Sequence, residues 1–195
     1  MIAGHFGFAA GVKSRERTVP LWALMLATVW LDVVFVPLFI LKIETVVPAQ
    51  GVHQAYGGAF IYAAYTHSIV GAALLSLIAG LGGALVWGRR AGVVLGLIAF
   101  SHWVLDLVVH RPDLAILPGN AGNLPLLGFG LWNWPVPAAL VELALVLIGG
   151  GLYWRSAFAV ANAAGSPRLL AHVAGFLVVV FGIVVLGFDF TGILG

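Results

Sequence analysis

Long apolar runs separated by short polar connections dominate the chain, and five of them are long enough to cross a bilayer as helices. They extend over about Leu21 to Ile43, Phe60 to Trp87, Ala91 to His110, Val136 to Trp154, and Leu169 to Leu186 or a little beyond. The pattern predicts an all-α fold, a polytopic membrane bundle of about five transmembrane helices forming one membrane domain over residues 1–195. An earlier apolar run, Ile2 to Val12, is too short to span. Residues 1–18 therefore read as an amphipathic or re-entrant segment, with no cleaved signal peptide expected. The connection from Arg111 to Pro135 is the longest and is rich in Gly, Pro and Asn, so residues 111–135 are expected to form a long outer loop of the kind that often serves as a lid.

Charge orients this bundle. Lys13, Arg15, Arg17, Arg89, Arg90, Arg155 and Arg168 fall on one side, and only Lys42 and Arg111 on the other, which puts the N-terminus in the cytoplasm. Trp22, Trp87 and Trp154 fall at the same inner helix ends and Trp132 and Trp134 at an outer one, as aromatic belts would. Composition agrees: 62% of residues are hydrophobic and 8% charged, and nine Lys and Arg are too few and too scattered for a nucleic-acid surface. With no cysteine, any metal site must be built from His and carboxylate ligands. Gly80, Gly82, Gly83, Gly149 to Gly151, Gly175, Gly182 and Gly187 would let helices approach closely.

The candidate chemistry lies where this apolar pattern is interrupted. His102, Asp106 and His110 follow one another at i, i+4 and i+8, on one helical stripe. A lone carboxylate near the middle of a membrane costs about 2.5–3.5 kcal/mol on insertion scales, so it needs a partner or a task. By depth, Asp32 falls near the middle of the first span, His67 in the outer half of the second, His102 at mid-depth with Asp106 and His110 further out, and Glu142 in the outer half of the fourth. All could meet in one outward-opening pocket. Blander readings stand beside this one. His102 and Asp106 could be a helix-internal pair, His67, flanked by Thr66 and Ser68, an interhelix clasp, and His110 an interfacial residue, while for Asp32 and Glu142 metal ligand and acceptor for a ligating His stand as alternatives. Glu44, His53, Asp113, His172 and Asp189 read as solvated groups at helix ends or in connections.

Taken together, Gly4-His5, Leu31-Asp32, Thr66-His67-Ser68 and Ser101-His102 followed by Asp106 resemble the predicted membrane-bound metal-dependent hydrolases of bacteria, the LexA-regulated inner-membrane hydrolase type. The likeness covers about the first half of the chain. Tyr62-Ala63-Ala64 stands where that family has His-Arg-Gly, and Val34 where it has a second acidic residue. The resemblance implies a bacterial inner-membrane protein whose His5, Asp32, His67, His102 and Asp106 hold a divalent metal. His5 can take part only if residues 2–12 fold back into the bilayer.

The expected function is hydrolysis of an ester or phosphoester in a lipid or lipid-linked substrate. His67, His102 and Asp106 would hold zinc, or alternatively manganese, with His5 or His110 as a further ligand and Asp32 or Glu142 as the catalytic proton acceptor. Two other classes compete: a small b-type cytochrome with His67 and His102 on haem, and a non-catalytic transporter or accessory subunit with membrane-protein partners.

Overall fold

In a computed structural model, described for residues 1–48 and 58–191, the chain folds into an all-α membrane bundle of seven helices with one small hairpin. The helices are α1 (Ile2–Lys13), α2 (Leu21–Thr28), α3 (Trp30–Ile40), α4 (Ile69–Trp87), α5 (Arg89–Val109), α6 (Pro135–Ala163) and α7 (Arg168–Thr191). Strands β1 (Thr45–Pro48) and β2 (Ala59–Tyr62) pair antiparallel between α3 and α4, with Thr45 opposite Tyr62. His53 lies outside the described residues. Among the described residues four helices are long and apolar enough to cross a membrane, and α2 with α3, bent by 50° at their junction, makes a fifth where the pair is taken as one broken span.

Two of the expected spans differ from the sequence reading. The first breaks at Val29. The second does not begin at Phe60: residues 59–62 pair as β2, and the helix starts only after Ser68, whose Oγ accepts from the Gly71 N–H at 3.0 Å. Ser68 has extended backbone angles, as N-cap residues do, so everything before it lies outside the helix. At the other end, Gly88 alone separates α4 from α5, with φ at +85°. The two helices then pack closely, because a Cβ on Gly92 would come within 2.5 Å of the Gly80 carbonyl oxygen.

The N-terminal segment is a buried half-helix rather than a surface anchor. At about 1.5 Å per residue, twelve residues reach roughly 18 Å, short of the ~30 Å hydrocarbon layer. Its Gly7 packs directly on α6, where an added Cβ would meet the Leu145 backbone at 2.5 Å, and Gly149 on α6 faces Gly7 in return. Gly150, Gly175 and Gly182 make comparable approaches between α6 and α7, whereas Gly82, Gly151 and Gly187 have no neighbour close enough to matter. A helix that starts inside the bundle leaves its first N–H groups without partners. Glu142 on α6 meets this need, with Oε2 accepting from the Gly4 N–H at 3.0 Å, and Asp189 on α7 lies beside the N–H groups of Ile2 and Ala3. Asp189 is thus a partner of α1, not a solvated helix end.

The opposite end of α1 joins the basic side of the molecule. Arg90 reaches Glu16 at 3.7 Å, Ser156 bonds the Ser14 carbonyl, and Trp22 packs edge-on against Trp87. These contacts gather the basic helix ends on one face, in line with the charge count. Burial pushes the Glu16 carboxyl up, but the N–H groups of Thr18 and Val19 together with Arg90 outweigh it and hold the group below its ordinary value.

Two outcomes follow from this packing. Gly7→Ala should lower the melting temperature in detergent, at the upper end of the ~1–3 kcal/mol typical of overpacking, since the obstacle is backbone. Because the folded pKa of Glu16 is lowered, its stabilisation is fully present above the ordinary glutamate value of 4.5 and is lost as pH falls through the folded pKa. The melting-temperature advantage of the native chain over Glu16→Gln should therefore shrink on acidification, and an advantage independent of pH would refute the assignment.

Candidate metal centre

Four separate stretches of chain bring polar groups to one place inside the bundle. α5 supplies His102 and Asp106, α3 supplies Asp32, α1 supplies His5, and the turn before α4 supplies His67. The break at Val29 is what makes α2 and α3 useful here: the Thr28 carbonyl at the break accepts from His102 Nδ1 at 2.7 Å, and one turn later Asp32 faces the same ring. The His67 turn is anchored from α5, where the Trp103 indole donates to the His67 carbonyl at 2.8 Å.

The distances describe a convergence of ligand atoms. His102 Nε2 lies 3.0 Å from Asp106 Oδ2, 3.5 Å from Asp32 Oδ1 and 3.2 Å from His67 Nε2. His67 Nε2 lies 3.4 Å from Asp32 Oδ1 and 3.7 Å from Asp106 Oδ2. Two triads result, Asp32–His67–His102 and His5–His102–Asp106, each with its ligand atoms within 4.8 Å of one another. Both use His102, so a single ion occupies one triad or draws ligands from both.

Proton positions follow from the partners. A carbonyl can only accept, so His102 Nδ1 carries hydrogen, and in the neutral ring its Nε2 presents a lone pair to the cluster. The Thr66 hydroxyl donates to Glu44 Oε2 at 2.8 Å, so the His67 Nδ1 that lies 2.8 Å from the same Thr66 oxygen must be its donor; His67 Nε2 is then bare as well. His110 follows the same rule. Its Nδ1 donates to Asp113 Oδ1 at 2.9 Å, and its Nε2 faces Asp106 Oδ2 at 3.8 Å. Each histidine is thus aimed by an acceptor behind it, the arrangement that fixes ligand orientation around metals.

His5 plays a different part. Its ring stacks on that of His102 at 3.9 Å, and its Nε2 lies 3.1 Å from Asp106 Oδ1. As a donor there it pins one carboxylate oxygen and turns the other, Oδ2, towards His67, His102 and His110.

Six of the seven site residues read from sequence therefore meet: His5, Asp32, His67, His102, Asp106 and His110. Glu142 is engaged at the N-terminus of α1 instead, which leaves Asp32 as the nearer proton acceptor. Position also differs for His67, which precedes its helix instead of lying within it. Glu44 and Asp113, read as solvated, are buried behind His67 and His110. Glu44 accepts from the N–H groups of Tyr65 and Thr66 as well as from the Thr66 hydroxyl. The signal available for Asp113 was its i+3 spacing from His110; Glu44 lies far from Thr66 in sequence and left none. His172 bonds Trp154 at an exposed site away from the cluster.

The outer side of the cluster is roofed. The loop after α5 is folded, with Leu114 bridged to Leu127 and with Phe129 and Gly130 donating to the carbonyls of Leu107 and His110. Trp132, expected at the bilayer interface, is buried with its ring 4.4 Å from that of His110. The hairpin adds to the roof, as the Ile61 N–H reaches Asp113 Oδ2 at 3.4 Å and Arg111 reaches the Ala59 carbonyl.

Compared with protein-family models, with curated proteins and with solved structures, the chain matches none. What can be stated is a class: a polytopic membrane protein with a buried His/Asp cluster able to hold a metal ion.

The Glu44 relay can be tested by Glu44→Gln. A side-chain amide would donate to Thr66 Oγ1, leaving the threonine hydroxyl to donate to His67 and so invert its tautomer. Affinity for a divalent ion, measured by chelator competition, should fall roughly ten- to a hundredfold with helical content unchanged.

Proposed function

We propose that the chain is a membrane-embedded metal-dependent hydrolase that cleaves an ester or phosphoester of a lipid or lipid-linked substrate. The observation that carries this reading is the facing of His67 Nε2 and His102 Nε2 at 3.2 Å between two carboxylates, an arrangement that leaves both nitrogens free to ligate when the rings are neutral. Lone pairs and anions gathered in a low-dielectric interior repel one another unless a cation or a shared proton lies among them. Neither Lys nor Arg pairs with Asp32 or Asp106 among the described residues. A divalent ion held by His67, His102 and Asp106, with Asp32 beside it, would offset the charge of both carboxylates and engage both imidazoles. Zinc suits such nitrogen and oxygen ligands, with manganese as the second choice. The likeness to the LexA-regulated inner-membrane hydrolases points the same way.

The ion would supply Lewis acidity, polarising the ester and acidifying a water. The chain's own groups do the rest. His5 and the acceptors behind the histidines keep the ligand atoms aimed, Asp32 takes a proton where the cluster opens, and Trp132 with the folded outer loop excludes bulk water from His110. Bis-histidine haem ligation fits the geometry less well. The two Nε2 atoms are already in contact and flanked by carboxylate oxygens, with no slot for a porphyrin between them.

Elemental analysis of the detergent-purified protein tests the reading. We expect about one zinc or manganese per chain, lost in both His102→Ala and Asp106→Asn, with far-UV circular dichroism unchanged. Full metal retention in Asp106→Asn would count against the ligand assignment, and absence of metal from the native protein would favour a transporter or accessory subunit.

A further inference from the structure

The cluster is closed on every side but one. The side chains of His5, His67, His102, Asp106 and His110 are at most 5% exposed, whereas that of Asp32 is 38% exposed. Asp32 sits on α3, a helix in which Leu31 alone is buried. Phe35, Val36 and Phe39 follow Asp32 at i+3, i+4 and i+7, so all four share one helical stripe. Phe35 lies edge-on to the His67 ring at 6.0 Å and stacks with Phe39 at 5.7 Å, while Val36 and Phe39 are exposed. A continuous apolar track therefore runs along the exposed flank of α3 and ends at the one accessible carboxylate of the cluster.

Resting on the hydrolase reading, we infer that the centre is reached laterally from the bilayer along this track, and that its substrate is a membrane amphiphile whose polar linkage meets Asp32 while a hydrocarbon tail lies against Phe35, Val36 and Phe39. The outward opening expected from sequence is occupied by the loop after α5 and by the hairpin. A wholly water-soluble ester would have no hydrocarbon to place on the track. An amphiphile can slide its head group to Asp32 without its tail leaving the apolar phase, which avoids the cost of exposing that tail to water.

Because the chain lacks cysteine, single labels can be placed cleanly. Val36→Cys and, as a second position, Phe39→Cys would each carry bimane in phosphatidylcholine vesicles, with the lipid-facing Ile148→Cys on α6 as control. The protein is loaded with cobalt, so that the d–d spectrum reports arrival of a head group at the metal. Dodecylphosphonate should alter that spectrum and give a saturable blue shift at Val36 and Phe39 but not at Ile148, and methylphosphonate should do neither at equal concentration. Equal spectral changes from both phosphonates, with the α3 labels unmoved, would overturn lateral access and leave the metal centre standing. Absence of a cobalt signal would overturn the metal reading and this inference with it.

Discussion

Everything in this molecule answers to the electrostatic problem of holding two carboxylates and several bare imidazole nitrogens together inside an apolar bundle. Each of these groups alone would be expensive at membrane depth, and among the described residues no Lys or Arg pairs with either carboxylate. Their Nδ1 protons are committed outward, to the Thr28 carbonyl, to the Thr66–Glu44 pair and to Asp113, so the neutral rings turn their lone pairs inward. Secondary structure is bent to serve that arrangement. The interruption at Val29 turns a carbonyl to His102, and the delayed start of α4 leaves His67 on a turn that a helix would have carried away.

The scaffold around the cluster deals with a second problem, unpaired backbone in a membrane. α1 begins within the bundle, and its first N–H groups find carboxylates on α6 and α7. The first N–H groups of α4 are taken by the carbonyls of Ala115 and Ile116, and carbonyls near the end of α5 are met by Phe129 and Gly130. The long outer loop thus closes two helix ends while it roofs the site, which explains why a segment so rich in Gly and Pro is folded. Gly128 adopts φ +147° there, where a Cβ would collide with the Arg111 carbonyl.

Much of this was legible from residue order, and what was missed has physical causes. The spans, their basic ends and the His102–Asp106 stripe are properties of local spacing, so hydropathy and helical periodicity suffice to find them. Phe60 to Tyr62 misled because a short apolar run fits a strand or a helix equally well, and only Ser68 as a cap marks the boundary. Glu44 and Asp113 looked like solvated ends because burial is set by what folds over them, and both lie under the roof. Glu142 looked like a site residue because insertion cost shows that a buried carboxylate needs a partner without saying which; the partner is the backbone of α1.

The contact between Gly4 and Glu142 joins residues 138 positions apart, and this separation bears on biogenesis. α1 emerges from the ribosome before α6 and α7, which carry the carboxylates that cap it. Until α6 and α7 have entered the bilayer, the half-helix has no satisfied place among its neighbours, and His5 cannot settle against Asp106. Seating of α1 and completion of the centre therefore follow the insertion of α6 and α7, so an early segment waits for partners made well over a hundred residues later.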